Sequence, residues 1–377
     1  MINILIIGVF EGLFLAALLF TKKRRTVSDT ILASFFMLFG LNIFLSYVEA
    51  YNRQNGFPYP MFIFTAAPLL LLHGPFLWLY IKSLTDQYFK LKPIYLINLL
   101  PFAAMVTQHA LYVYVLPTEQ KIEYILAESF KDSFSYPFFL ILIALSPIFY
   151  FSLGLRLIKG YKRKIEGFFS QTAGIDLKWL NIIVGSWILL SVLINSIFVI
   201  DLIVPIAPFG IMQFFSFIFA AVYVIFIGFY GLRQENIFLS NSINLNLETA
   251  ISNPINGNSK PLQENEKVFI QILLKHMVEQ KPYLQPDITL KGLSDELKVS
   301  SEFLSEIINA DLNKNFFDFI NHYRIEEFKG QCRNDKNKHL NIIGLAFNCG
   351  FNSKATFNRV FKKATGLTPS EYINGSR

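Results

Sequence analysis

Between Ser353 and Lys362 the chain sets out six side chains that donate hydrogen bonds or carry positive charge: Ser353, Lys354, Thr356, Asn358, Arg359 and Lys362. Phe357, Val360, Phe361 and Ala364 interleave with them at i, i+3, i+4 and i+7, the spacing of one buried helix face. Lysine and arginine neutralise phosphate charge, arginine and asparagine reach base edges, and short hydroxyls serve either target. The chemistry on offer is recognition of a polyanion, not the making or breaking of bonds. The rest of the sequence agrees, for it holds no nucleophile-and-base constellation, no glycine-rich phosphate loop and no metal-ligand spacing. Neither catalysis, nor a metal, nor a cofactor is expected. Cys332 and Cys349 match no zinc or redox motif and read as small apolar fillers in a reducing compartment.

Such a face needs elements to hold it out. Ile342, Leu345, Ala346 and Cys349 repeat the i, i+3, i+4, i+7 pattern and predict a first helix. The run "CGFNS" breaks it, with Gly350 free to take a left-handed turn conformation. Asn352 or Ser353 then either caps the second helix or contacts its ligand. In "TPSE", Thr368 as N-cap, Pro369 at the first helical position and Glu371 completing a capping box predict a last helix. The pattern is a buried helix, a tight turn and a second helix with a basic face, which is what a helix-turn-helix requires.

A weaker copy precedes it. Leu290, Leu293 and Leu297 form one face, "KVS" at 298–300 makes the turn, and Leu304, Ile307 and Ile308 pack the second helix. Its outward face would present Ser301, Glu302, Ser305, Glu306 and Asn309. Residues 315–330 between the copies predict one longer connecting helix.

With these parts in place, residues 263–373 resemble the AraC-type transcription regulators. The carrying residues are Ile342, Leu345, Ala346, Gly350 and Phe351, then Phe357, Phe361, Lys362, Lys363, Gly366, Pro369 and Tyr372, with Arg324 near the end of the connecting helix. The resemblance implies two helix-turn-helix units joined by a linker helix, each placing a recognition helix in the major groove of double-stranded DNA. Ser353, Lys354, Thr356, Asn358, Arg359 and Lys362 would serve the second unit, and Ser301, Glu302, Ser305 and Asn309 the first. Two positions depart from the family pattern: Glu306 stands where a basic residue is common, and Ile373 where an arginine follows the tyrosine.

The remainder of the chain is very different. Of 377 residues, 53% are hydrophobic and 16% charged, with 40 phenylalanines. Residues 1–231 hold 16 Lys and Arg and 11 Asp and Glu, whereas the shorter 232–377 hold 18 and 16. This asymmetry predicts a membrane domain followed by a soluble one. Seven stretches are long and apolar enough to cross a bilayer: 2–20, 30–49, 61–81, 94–116, 137–157, 180–200 and 208–231. The first lacks a basic segment before it and a small-residue cleavage site after it, so it is expected to be retained. Loops 21–29, 82–93 and 156–179 carry 13 Lys and Arg against 3 in loops 50–60, 117–136 and 201–207. By the positive-inside rule the N-terminus lies outside the inner membrane and the C-terminal domain in the cytoplasm.

The expected fold is all-α: a seven-helix transmembrane bundle at 1–231, a flexible linker at 232–262 rich in Asn and Ser, and a cytoplasmic domain with two helix-turn-helix units at 263–377. As a coil the linker would span on the order of 30 Å. Glu11, His73, Gln108 and His109 are polar residues within spans; each is either satisfied by a neighbouring helix or part of a ligand-sensing pocket. "GVFEG" at 8–12 is a GxxxG suited to close packing inside the bundle. The function expected is a membrane-anchored regulator that binds promoter DNA and responds to a small-molecule or membrane signal. Its partners would be DNA, the lipid bilayer, that signal and a second copy of the chain. Two other classes fit the same composition: a receptor whose tail docks a protein, and a transporter with a regulatory tail.

Overall fold

A computed structural model describes residues 3–86, 88–172, 175–232, 263–333 and 341–375. The expected linker at 232–262 lies, but for Leu232, outside them. The described residues are helical. They contain no strand, only an isolated antiparallel bridge between Phe169 and Thr289. The chain divides into two compact units, Met1–Lys159 with Leu177–Asn241, and Gly160–Asp176 with Ser242–Arg377.

The first unit holds α1 (Asn3–Phe20), α2 (Val27–Gln54), α3 (Leu70–Thr85), α4 (Leu100–His109), the short α5 (Thr118–Leu126), most of α6 (Ser135–Phe168), α7 (Lys178–Asp201) and α8 (Phe209–Leu232). Among the described residues seven helical stretches are long and apolar enough to cross a membrane. Short 3-10 segments precede α3 and α4, and a π-helical turn at Ala110–Tyr114 follows α4, giving Pro60–Thr85 and Pro93–Tyr114. A capping box opens α2: the Thr26 hydroxyl accepts from Asp29 N–H at 3.1 Å, and the Asp29 carboxylate accepts from Thr26 N–H at 2.8 Å.

The glycines of the GxxxG sit inside the bundle, as expected. A methyl group on Gly12 would lie 3.0 Å from the Gly40 Cα, and one on Gly8 would lie 3.0 Å from the Ala221 Cβ. These glycines let the α1 backbone approach α2 and α8. The fifth span is longer than expected, because α6 runs unbroken to Phe168. At 1.5 Å per residue its 34 residues extend about 51 Å, well beyond a hydrocarbon core of about 30 Å.

The second unit contains the end of α6, then α9 (Gln263–Glu279), α10 (Leu290–Leu297), α11 (Ser301–Glu306), α12 (Phe316–Cys332), α13 (Ile342–Asn348), α14 (Lys354–Thr365) and α15 (Pro369–Gly375). It has two cores. Leu290, Leu293, Leu304, Ile307, Ile308, Phe316, Phe319 and Ile320 fill one, joined by Leu273 and Met277 of α9. Phe317, Ile325, Phe328, Leu345, Ala346, Cys349, Phe351, Phe357, Val360 and Phe361 fill the other. Helix α12 buries residues in both and so ties the halves together.

Candidate nucleic-acid interface

Local sequence explains each half. In the first, the Thr289 hydroxyl accepts from Gly292 N–H at 3.0 Å and starts α10. Lys298 takes φ +58° and ends it, and the Ser300 hydroxyl accepts from Phe303 N–H at 3.2 Å and starts α11. In the second, Asn341 caps α13 through Gly344 N–H at 2.7 Å, Gly350 turns the chain at φ +89°, and Ser353 caps α14 through Thr356 N–H at 3.4 Å. The capping role thus falls to Ser353, while the Asn352 amide donates to Asp287 at 3.2 Å. Thr368 and Glu371 form the expected reciprocal cap, with Thr368 N–H donating to the carboxylate at 2.7 Å and Glu371 N–H to the hydroxyl at 3.3 Å.

On α14 Phe357, Val360 and Phe361 are buried, but Ala364 of the expected apolar face is exposed, as are Lys354, Asn358, Arg359 and Lys362. Lys354, Asn358 and Lys362 follow one another at i, i+4 and i+8, a single stripe along the helix. The Arg359 guanidinium lies 5.4 Å from the centre of the Phe317 ring on α12, which steadies a long side chain over an aromatic face. Lys363 is drawn to Asp318 at 2.8 Å. Thr356 departs from the expectation: it is buried, 5% exposed, because its position falls on the core side beside Phe357. Its side chain is withdrawn from any surface contact. In the first half, Glu302, Glu306 and Asn309 are exposed and Ser301 and Ser305 half-buried. Ser301 shares a 2.9 Å hydrogen bond with Ser294, and the Asn309 amide donates to the Ser305 carbonyl at 2.7 Å.

The two halves are locked by Arg324 of α12, which is fully buried. Its Nε donates to the Tyr283 carbonyl at 2.7 Å, and Nη2 donates to the carbonyls of Gln285 at 2.7 Å and Pro286 at 3.1 Å. Its guanidinium also faces the Phe351 ring at 5.7 Å. Burial lowers its pKa to about 10, partly opposed by Asp287. Cys349 is a free, buried thiol whose pKa burial pushes up to about 12, which fits the filler role expected of it.

Residues 293–375 match the family model of a helix-turn-helix domain. That match lies over α10 to α15, in the part whose geometry has just been described. The C-terminal part of this chain is similar to a helix-turn-helix domain, in keeping with the paired helices just described. No curated protein and no solved structure matches the chain. The helix-turn-helix domain is a binding module rather than a catalytic one. Helix α9 and the segment 160–176 lie outside the matched residues but inside the same compact unit.

In the first unit, His73, Gln108 and His109 line one cavity of about 210 Å³, together with Tyr136, Trp187 and Gln213. Gln108 donates to Ser135 Oγ at 3.0 Å, and His73 stacks on Phe39 at 4.7 Å. His73 Nε2, His109 Nδ1 and Tyr136 Oη are buried and have no hydrogen-bond partner among the described residues. Glu11 does not line this cavity. Sequence reasoning missed Glu49, whose carboxylate accepts from Gln213 at 3.0 Å and is 1% exposed. It also missed Ser170 and Asn321, whose partners lie more than a hundred residues away and leave no local pattern.

Proposed function

We propose that this chain is a regulator held in the inner membrane by its apolar helices, with the helix-turn-helix domain in the cytoplasm binding promoter DNA in a sequence-specific manner. The observation that carries the reading is the α14 stripe of Lys354, Asn358 and Lys362, with Arg359 beside it, displayed by a helix-turn-helix domain that follows seven apolar helices. Membrane anchoring is supported by the outward faces of those helices. Phe10 is 64% exposed, Leu189 63% and Phe219 53%, a surface suited to lipid and not to water. The excess of Lys and Arg, 13 against 3, in loops 21–29, 82–93 and 156–179 supports the orientation.

In this reading Lys354 and Lys362 meet phosphates, and Asn358 and Arg359 read base edges in the major groove. The first helix-turn-helix, presenting Ser301, Glu302, Ser305 and Asn309, docks about one helical turn away. Its carboxylates make it the weaker anchor. The cavity lined by His73, Gln108 and His109 is the sensing site, its unpartnered nitrogens awaiting a small molecule with an apolar body and a polar group. A second copy of the chain doubles the grip by avidity. Full-length protein in lipid nanodiscs, used to select from a random duplex library, is expected to enrich one sequence motif and to lose affinity steeply with added salt. Selection of no motif would contradict specific reading. Retention of a protein partner in place of DNA would favour the docking alternative that Glu302 and Glu306 suggest.

A further inference from the structure

The segment that joins α6 to α7 belongs to the unit that contains the DNA-binding domain, and its Ser170 is fully buried there. The Ser170 hydroxyl donates to the Ile288 carbonyl at 2.7 Å and accepts from Arg324 Nη2 at 3.3 Å. Its backbone carbonyl accepts from Asn321 Nδ2 at 3.1 Å and from Arg324 Nη1 at 3.5 Å. Next to it, Phe169 forms the antiparallel bridge with Thr289, and Phe168 packs on the core of the first helix-turn-helix. Residues 160–176 lie outside the segment that matches the helix-turn-helix domain.

We propose that residues 168–172 are a coupling clip, through which movement of α6 and α7 changes how the domain grips DNA. The inference rests on the reading that this domain binds DNA. Its mechanism follows from what the clip touches. Ile288 and Thr289 are the entry to α10, with Thr289 its N-cap. Asn321 and Arg324 are on α12, which joins the two halves. The clip therefore sits at the joint between the first helix-turn-helix and the connecting helix. Two recognition helices bind one DNA face only when their separation matches the groove repeat. A clip that draws Thr289 toward or away from α12 alters that separation. The bonds are buried, so each is stronger than an exposed one and costly to leave unmade. Such a joint favours discrete arrangements over gradual give, which is what a switch needs.

The test uses the full chain in lipid nanodiscs for hydrogen exchange and in its native cell for genome-wide DNA crosslinking. Three variants are compared with wild type: Ser170→Ala, Ser170→Trp, and a four-residue Gly-Ser-Gly-Ser insertion between Asp176 and Leu177. The insertion leaves the clip's own residues unchanged and slackens its connection to α7. Ser170→Ala and Ser170→Trp are expected to speed amide exchange over 288–304. The insertion is expected to leave that exchange at the wild-type rate, yet to change occupancy of the wild-type DNA sites about fivefold or more. Wild-type occupancy in the insertion variant would reduce the clip to a structural contact and overturn the proposal, as would unchanged exchange in both Ser170 variants. Absence of discrete sites for the wild-type chain would sink the DNA-binding reading instead, and exchange alone would then decide the clip.

Discussion

Arg324 and Ser170 are separated by 154 residues, yet Arg324 Nη2 lies 3.3 Å from the Ser170 hydroxyl. The same guanidinium reaches the carbonyls of Tyr283, Gln285 and Pro286, so one side chain on α12 ties together three segments of the second unit. All of its partners are neutral oxygens, which suits a planar fork with five donors better than a point charge.

Arg324→Lys is expected to destabilise the second unit by about 3 kcal/mol, because an ammonium cannot satisfy the carbonyls the fork reaches. Hydrogen exchange over α12 in the full chain measures it. Wild-type protection in the Lys variant would show that charge, not the fork, is what the site needs.

Gly350→Ala is expected to cost about 2–4 kcal/mol in the same measurement. The residue has φ +89°, and an added methyl would collide with the Tyr283 carbonyl and stand 2.9 Å from Arg324 Nε. The damage should appear first in α13 and α14, which the turn connects.

Arg359→Ala and Lys362→Ala should fail differently. If Arg359 reads a base, its loss costs about 1–3 kcal/mol on the selected motif and relaxes preference at one position. Lys362→Ala should weaken all duplexes alike and reduce the slope of log affinity against log salt by about 1. Titration of both variants against the motif and a scrambled duplex separates the two roles.

Stability of the second unit should fall with acid. Glu327 is partly buried, which alone would raise its pKa, but bonds from Lys281 at 2.9 Å, Gln331 at 3.1 Å and Tyr283 at 3.1 Å hold it below the usual carboxylate value. Burial, aided by Lys314, lowers His322 as well. For both groups the unfolded chain binds protons more readily than the folded one, so stability rises with pH. The His322 contribution is full above its unfolded pKa of about 6.5 and is lost below it; that of Glu327 goes as pH drops from about 4.5 through its lowered folded value. Exchange protection of α12 measured from about pH 7 to about pH 3 should decline in those two windows, and Glu327→Gln should remove the lower one.

Much of this was legible in the sequence because it is written in short-range patterns. The i, i+3, i+4, i+7 runs around Leu345 and Phe357 mark helices that pack with those residues inward, save Ala364 at the exposed end of α14. Gly350, Thr368 and Glu371 are local devices whose chemistry acts within a few residues. Thr356 lies four residues before Val360 and so on the buried side of α14, where a threonine is small enough to pack beside Phe357. Glu49 and Gln213 meet across 164 residues, and Ser170 meets Asn321 across 151. No periodicity encodes such meetings, since they depend on how helices pack and not on how each one forms. The charged run 159–166 reads as a loop by its charge, yet α6 continues through it to Phe168, since lysine, arginine and glutamate are good helix formers.

The central claim is that a membrane-held chain reads DNA through α14. It is tested most directly by crosslinking the intact protein to DNA in its native cell, beside a variant with Lys354, Arg359 and Lys362 all changed to Ala, and fractionating both with the membrane. The account predicts that wild type is recovered with membranes and crosslinked at discrete promoter sites sharing one motif, and that the variant keeps the membrane and loses the sites. Equal crosslinking by the two proteins, or a wild-type chain recovered away from the membrane, would contradict it.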